Sequence, residues 1–373
     1  QPKSATSIED ILTNAEFELK AFDPYKYEKV VMANKTYPLA GNFSTPYGLW
    51  LAQNNLGKAA YLTLIDRDDH LIMPHLYMLE PYNPNKKVIV LVHGLASSPE
   101  AWIRLTNDIM GDTVLRENFQ VWQVFYSTNM PIIESRFQIY ALLTQAFSQI
   151  DNKAAAKKDA VLVGHSMGGI IARLLVSDAD VTQEALSLMN NRQLNKYKNL
   201  PIVSQRLVIK DIPNFTRAIF LATPHKGTEF ADRWFTKAAR KIIRLPGAFF
   251  SAIGDSLQSQ DIDVKEVLSQ IDPGFIQNGP SDLSYQSKFM ELTHDIQPRK
   301  GLIFHSIIGN KSNSDDLNII SDDVVAYKSA HLEGAASEKI IKGGHSIQET
   351  PEAILELRRI LRLHLTQLGL RQP

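Results

Sequence analysis

The sequence predicts an α/β fold, with a mostly parallel central sheet and helices on both faces. Short β-branched runs alternate with helix-period segments from Lys86 to the C-terminal region, the pattern of parallel strands joined by crossover helices. The first of these runs, KKVIVLVHG, is apolar almost without a break, as expected of a strand buried on both faces. A third observation concerns chemistry: Gly164-His165-Ser166-Met167-Gly168 sets a polar knot between the apolar runs VLV and IIARLLV.

Taken in order, residues 1–45 show no clear period. LWLAQ (Leu49–Gln53), AAYLTLIDRDDH and LIMPHLYMLEP read as short strands, with DRDDH as a hairpin connection. KKVIVLVHG (Lys86–Gly94) is the first parallel strand, and Ser98-Pro99-Glu100 starts a helix carrying Trp102, Ile103 and Leu105. FQVWQVFYST is the second strand, followed by a long helix from Ile132 to Ile150. DAVLVGHS and IIARLLV form the third strand and helix. TRAIFLATPHKG, GLIFHSIIGN and EKIIKGG are the remaining strands, and a last helix runs from about Glu349 to Thr366.

Residues 1–85 are thus expected to add antiparallel strands to a main domain spanning 86–373. Two segments interrupt the rhythm, at about 181–215 and 228–300, and connections that long within a compact fold are usually lids or caps. In RLPGAFFSAI of the second, Phe249 and Phe250 are candidates for lining an apolar substrate pocket, with ordinary packing inside the cap as the alternative.

The apolar share of 44% and charged share of 21% are those of a soluble globular protein. A formal net charge of zero supplies no global field to recruit nucleic acid. The absence of cysteine excludes disulfides, thiolate metal sites and a cysteine nucleophile. No apolar run approaches the roughly 20 residues of a membrane span. The opening QPKSATS, without methionine, reads as a processed or trimmed start. An exported setting, secreted or in a bacterial envelope, is the weak expectation, with a cytoplasmic one left open.

The knot matches G-x-S-x-G. That pattern arises by chance in about one chain of this length in ten, so its context must carry the argument. A buried strand before it and a helix after it are the context of a nucleophile elbow, in which a tight turn exposes Ser166 as nucleophile. The serine needs a base, and sites of this type run serine, acid, histidine along the chain. Of the ten histidines, His165 is too local to face the hydroxyl. His93 and His225 follow strands but suit other roles, and His305 reads as a core residue within a strand. His70, His75 and His294 fall away from the site, and His364 reads as exposed on the last helix. His345, after the last strand and the turn-permitting Gly343-Gly344, is the expected base.

The acid belongs on the loop after GLIFHSIIGN, where Asp315, Asp316, Asp322 and Asp323 compete. The first two sit in a solvated loop tip; one of Asp322 and Asp323, ahead of the apolar VVAY, is the expected acid. The oxyanion would be held by two backbone N–H groups. Met167, after the nucleophile, supplies one, and Leu95, beyond the bend at Gly94, supplies the other. The His93 side chain is expected to brace that loop.

Four segments, VLVHGLASSPEAW, VLVGHSMGGIIARLL, FLATPHKGTEFAD and SDDVVAYKSAHLEGA followed by GGHS, resemble the α/β-hydrolase superfamily, and more narrowly bacterial lipases and esterases. TPHKGT is similar to the PHKGS-type segment of true bacterial lipases. The resemblance implies an α/β-hydrolase fold with an inserted cap. Its D-G-V/L-V segment implies Asp322 as the acid, with Asp323 in the usual glycine position. Its S-x-H-L segment falls on Ser329-Ala330-His331-Leu332 and gives His331 a structural role. True lipases of that group place a calcium-supporting aspartate two residues after the catalytic histidine; here that residue is Ile347, so no metal and no cofactor is expected.

The sequence therefore points to a serine carboxylic-ester hydrolase acting through an acyl-enzyme on an apolar or medium-chain ester. A small-molecule or lipid ester is the expected partner, with transient contact between the cap and a lipid interface. An acyltransferase, amidase or thioesterase would use the same Ser166, His345 and Asp322. A non-catalytic scaffold is the remote alternative.

Overall fold

The computed structural model describes residues 8–13, 20–32, 35–39, 41–54, 56, 73–188, 201–229 and 278–370. Phe249, Phe250, the AAYLTLIDRDDH segment and the first two residues of LIMPHLYMLEP, Leu71 and Ile72, lie outside the described residues. A seven-stranded sheet organises the chain: β1 (His75–Met78), β2 (Lys87–Val92), β3 (Phe119–Phe125), β4 (Ala160–His165), β5 (Phe215–Leu221), β6 (Ile303–Asn310) and β7 (Ser337–Lys342). Its spatial order is β7-β6-β5-β4-β2-β3-β1. All neighbours are parallel except β1, which pairs antiparallel with β3, Leu76 facing Val124. The expected α/β architecture is the one observed.

The strands at the centre are apolar on both faces because both faces are covered. Val88, Val90 and Val92 of β2 point to one side with Leu162, where Ile139, Leu143 and Phe147 of helix α2 (Ile132–Ser148) and Ile170 and Leu174 of α3 (Met167–Leu175) complete the layer. Ile89 and Leu91 point to the other side with Val161 and Val163. They meet Leu105 and Ile109 of α1 (Ile103–Gly111) and Leu357, Ile360 and Leu361 of α4 (Pro351–Gln367). The period-2 split of a strand and the 3.6-residue stripe of a helix thus produce two cores divided by one sheet. Burial of each such aliphatic side chain contributes about 1.5–3 kcal/mol.

Helix α4 begins on a strong stop-and-start signal. Thr350 caps it by accepting the Ala353 N–H at 3.3 Å, and Pro351 fills the first turn. His364 on this helix is buried, at 3% exposure, contrary to its expected exposure. It lies on the same stripe as Leu357, Ile360 and Leu361, three and four residues apart, and its ring stacks on Phe119.

The N-terminal expectation also needs correction. LWLAQ is not a strand; it lies within the helix Thr45–Asn54. Tyr47, Trp50 and Leu51 follow the i, i+3, i+4 spacing and form one face packed with Phe125 and Tyr77, and a five-residue alternation is too short to outweigh that period. Among the described residues, strands Lys29–Met32 and Lys35–Pro38 pair with each other and not with the main sheet, which β1 joins.

Both interruptions of the rhythm have closed bases. Ala179–Asp180 pairs antiparallel with Val208–Ile209 under the first, whose described helices are Thr182–Leu188 and Pro201–Leu207. At the second, the Thr228 N–H donates to the Leu283 carbonyl at 2.8 Å. Among the described residues no helix is long and apolar enough to cross a membrane.

Candidate active site

At the carboxyl end of β4 the chain turns sharply into α3. Ser166 takes φ 54° and ψ −125°, a region costly for a residue with a Cβ. Its N–H donates to the Leu221 carbonyl of β5 at 2.9 Å, which holds the turn against the neighbouring strand. Close approach explains two glycines. A Cβ on Gly168 would meet the His93 carbonyl oxygen at 2.3 Å, and one on Gly94 would meet the Ser166 Cβ at 2.9 Å. The loop after β2 and the first turn of α3 therefore close around Ser166 only because both positions lack side chains.

The His345 ring links two other residues. Its Nε2 lies 2.7 Å from Ser166 Oγ, and its Nδ1 lies 2.8 Å from Asp322 Oδ2. The carboxylate accepts from Nδ1–H, which leaves Nε2 with a lone pair directed at the serine hydroxyl. Asp322 is itself held: its Oδ1 accepts the N–H groups of Val324 at 2.9 Å and Val325 at 2.7 Å. Its side chain is 1% exposed, while that of His345 is 22% exposed. A buried carboxylate with fixed donors is a rigid anchor for an imidazole open to the site on one side.

Asp323 goes elsewhere. Its backbone is left-handed, φ 77°, and its carboxylate pairs with Lys311 at an exposed position. Asp315 and Asp316 sit in the exposed loop tip, where Asp316 accepts the Asn318 N–H at 2.9 Å.

The two N–H groups expected at the oxyanion, those of Leu95 and Met167, donate to no acceptor among the described residues. The Leu95 loop is braced from three sides. His93 Nδ1–H donates to the Gly94 carbonyl at 3.0 Å, Tyr126 O–H donates to the His93 carbonyl at 2.8 Å, and the Ala96 N–H donates to Thr128 Oγ1 at 3.2 Å. Tyr126 and Thr128 were not singled out from sequence; the signal available was FYST at the carboxyl end of a parallel strand, where sites of open α/β sheets collect. Burial pushes the His93 pKa down to about 4, so the ring is a neutral brace near pH 7.

His165 does not face the hydroxyl. Its ring is buried, and Nε2 lies 2.8 Å from the His345 carbonyl oxygen. His331 bonds Glu338 through Nδ1 at 2.7 Å and stacks on Tyr327, and His225 is buried against Phe220. His305 lies inside β6, its ring bonded to Arg217 and Ser337. Ile347 is fully buried, and among the described residues no group of three or more histidine, aspartate or glutamate side chains is arranged to hold a metal ion. What this geometry can do chemically is take a proton from a serine hydroxyl and stabilise the resulting imidazolium beside a buried carboxylate.

Comparison with solved structures places a Bacillus licheniformis lipase, BlEst2 in its mature form, at 18% identity and TM-score 0.44, covering 77% of this chain and 98% of that one. Thermogutta terrifontis esterase 2 is similar at 13% identity and TM-score 0.39, covering 80% of this chain and 91% of that one. An esterase B from Lactobacillus rhamnosis, described as inhibited by a tributyrin phosphonate, is similar at 13% identity and TM-score 0.38, covering 86% and 94%. The search of curated proteins returns no match. The model of the alpha/beta hydrolase family matches residues 89–357, which include the elbow, the Asp322 loop and His345, and the chain belongs to the alpha/beta hydrolase family.

Proposed function

We propose that the protein is a serine carboxylic-ester hydrolase working through an acyl-enzyme. The observation that carries this reading is the hydrogen-bonded line from Ser166 Oγ to His345 Nε2 at 2.7 Å and from His345 Nδ1 to Asp322 Oδ2 at 2.8 Å. Ser166 Oγ attacks the ester carbonyl carbon while His345 Nε2 takes its proton, and the carbonyl π pair moves onto oxygen. The Leu95 and Met167 N–H groups, unpaired among the described residues, receive that oxyanion. As the tetrahedral species collapses, His345 returns the proton to the leaving alcohol and the acyl-enzyme remains. Water, deprotonated by His345, then attacks the acyl carbon and releases the acid with free Ser166.

Asp322 keeps its charge throughout, holding the Nδ1–H tautomer and stabilising the imidazolium. The apolar acyl preference is the finer part of this reading. Met167 belongs to the apolar core on its side of the sheet, to which Leu283, Phe289 and Met290 of the second interruption also belong, and Leu95 packs against that core.

Ser166→Ala is expected to lower hydrolysis of p-nitrophenyl esters by at least about 10⁴-fold with an unchanged thermal unfolding midpoint. A fluorophosphonate probe should label the native chain and leave the variant unlabelled. Undiminished turnover by Ser166→Ala overturns the mechanism. On the native chain, faster turnover of acetyl than octanoyl esters overturns the apolar acyl preference alone.

A further inference from the structure

The main chain of the loop that carries His345 has few ties among the described residues. Gly343 and Gly344 precede it, and the Gly343 N–H is tied to the Asn310 carbonyl of β6 at 2.9 Å. Beyond that point, within Gly344–Ser346, one main-chain hydrogen bond reaches a segment distant in sequence among the described residues. It runs to the His345 carbonyl oxygen from His165 Nε2, at 2.8 Å.

A carbonyl oxygen can only accept, so His165 Nε2 carries the proton and the ring is the neutral Nε2–H tautomer. Its Nδ1 is buried with no hydrogen-bond partner among the described residues. The His165 and His345 rings lie 5.1 Å apart, tilted by 46°. Burial, and then the facing His345, hold the His165 pKa down to about 3, with His93 as the other titratable neighbour that lowers it. A neutral donor is what this place requires, because a second cation at that distance would oppose formation of the His345 imidazolium.

We infer that His165 is a positioning residue: its Nε2–H pins the main chain of His345 to the end of β4, immediately before Ser166. This rests on the serine-hydrolase reading and deepens it. Two consecutive residues of one strand end thereby address the base at two atoms. Ser166 meets the imidazole Nε2 and His165 meets the carbonyl. The Ser166 bond is broken when the hydroxyl is acylated, whereas the His165 bond involves neither reacting atom and persists through deacylation. The separation of nucleophile and base is then set by the covalent geometry of β4 rather than by a glycine-flanked loop. Misplacement of reacting groups by about 1 Å costs on the order of 10²-fold in rate.

The experiment compares His165→Leu, which removes the donor, with His165→Gln, whose side-chain amide can donate from a similar place. Each is made in the native chain and in His345→Ala, and ester turnover and the rate of fluorophosphonate labelling are measured. The expected result is a fall in kcat of about 10- to 100-fold for His165→Leu at unchanged KM, with most of the rate restored in His165→Gln. In the His345→Ala background, His165→Leu should not slow labelling further, because the residue acts through His345. An unchanged kcat in His165→Leu overturns the inference, and so does an equal loss in the His345→Ala background, the mark of a general structural defect. Should His165→Leu lack a cooperative thermal transition, His165→Phe, which keeps a ring without a donor, makes the same comparison. Labelling that is lost in Ser166→Ala but unaffected by His165→Leu overturns this inference alone. Labelling that persists in Ser166→Ala overturns the hydrolase reading, and the inference with it.

Discussion

Two sets of histidines sit near opposite ends of the parallel strands, and their partners differ in sign. At the carboxyl end, His345 stands between the Asp322 carboxylate and the Ser166 hydroxyl. Toward the amino end, His305 of β6 and His364 of α4 stand against the guanidinium of Arg217, near the start of β5. There Arg217 Nε–H donates to His364 Nδ1 at 3.0 Å, and a second guanidinium N–H donates to His305 Nε2. The remaining N–H groups of the rings donate to the Asp159 carbonyl at 2.9 Å and to Ser337 Oγ at 2.7 Å. Both of these rings must therefore accept from a cation and stay neutral. Burial with the adjacent Arg217 holds the His305 pKa at about 3, and burial chiefly, with Arg217 adding to it, holds that of His364 at about 4. In the proposed mechanism the same residue type carries a proton beside a carboxylate, whereas beside an arginine it is a passive acceptor.

The largest effect expected from breaking this contrast falls on the carboxylate. Asp322→Asn keeps the shape of the side chain but can present an amide N–H to His345 Nδ1. That favours the tautomer in which Nε2 carries the proton and cannot accept from Ser166. A fall in kcat of about 10⁴-fold is expected, measured as ester turnover, with KM changed little. A loss of tenfold or less would mean that His345 is oriented by its loop and by His165 instead.

Much of this was legible from residue order. The β-branched runs marked the strands because burial on both faces leaves no room for alternation, and the elbow was marked by small residues at positions where a Cβ would strike His93 or Ser166. The loop of His345 followed from its place after the last strand. Other features depend on contacts distant in sequence. Residue order and burial pattern leave Asp322 and Asp323 open, and only the resemblance to the D-G-V/L-V segment favours Asp322; the backbone at Asp323, with φ 77°, sends consecutive carboxylates in different directions. The donation from His165 to a carbonyl 180 residues away leaves no periodic trace. For His364 a signal did exist, since the spacing from Leu357, Ile360 and Leu361 places it on the buried stripe. The polar ring disguised that position until Arg217 gave it a partner.

The amino-end group predicts a smaller effect, on stability rather than rate. In the unfolded chain His364 takes up a proton near its ordinary value of about 6.5, whereas in the folded protein it does so only near about 4. The unfolded state thus binds more protons between these values. Stability is fully present above pH 6.5 and falls as the pH drops toward 4, by at most about 3 kcal/mol from this ring. His364→Gln offers Arg217 an amide oxygen and removes the titration. Thermal melts from pH 7.5 to 4 should show a shallower decline for the variant. The slope is reduced rather than abolished, because His93, His165 and His305 are also held below their ordinary values. A slope identical to that of the native chain would mean that His364 is protonated in the folded state and that the Arg217 group is arranged differently.

The smallest effect sharpens the contrast within the carboxyl end itself. Asp323 adjoins Asp322, yet its carboxylate pairs with Lys311 at 61% exposure and does not approach His345. Exposed ion pairs are worth about 0–1 kcal/mol. Asparagine tolerates left-handed backbone nearly as well as aspartate does, so Asp323→Asn keeps the turn that lets Val324 and Val325 donate to Asp322. Turnover should stay within about twofold and stability within about 1 kcal/mol of the native chain. Asp323→Val should instead destabilise by about 1–2 kcal/mol, because a β-branched side chain opposes φ 77°. If Asp323→Asn lowered kcat as far as Asp322→Asn does, the two aspartates would exchange roles. The left-handed turn would then aim the carboxylate at the base rather than away from it.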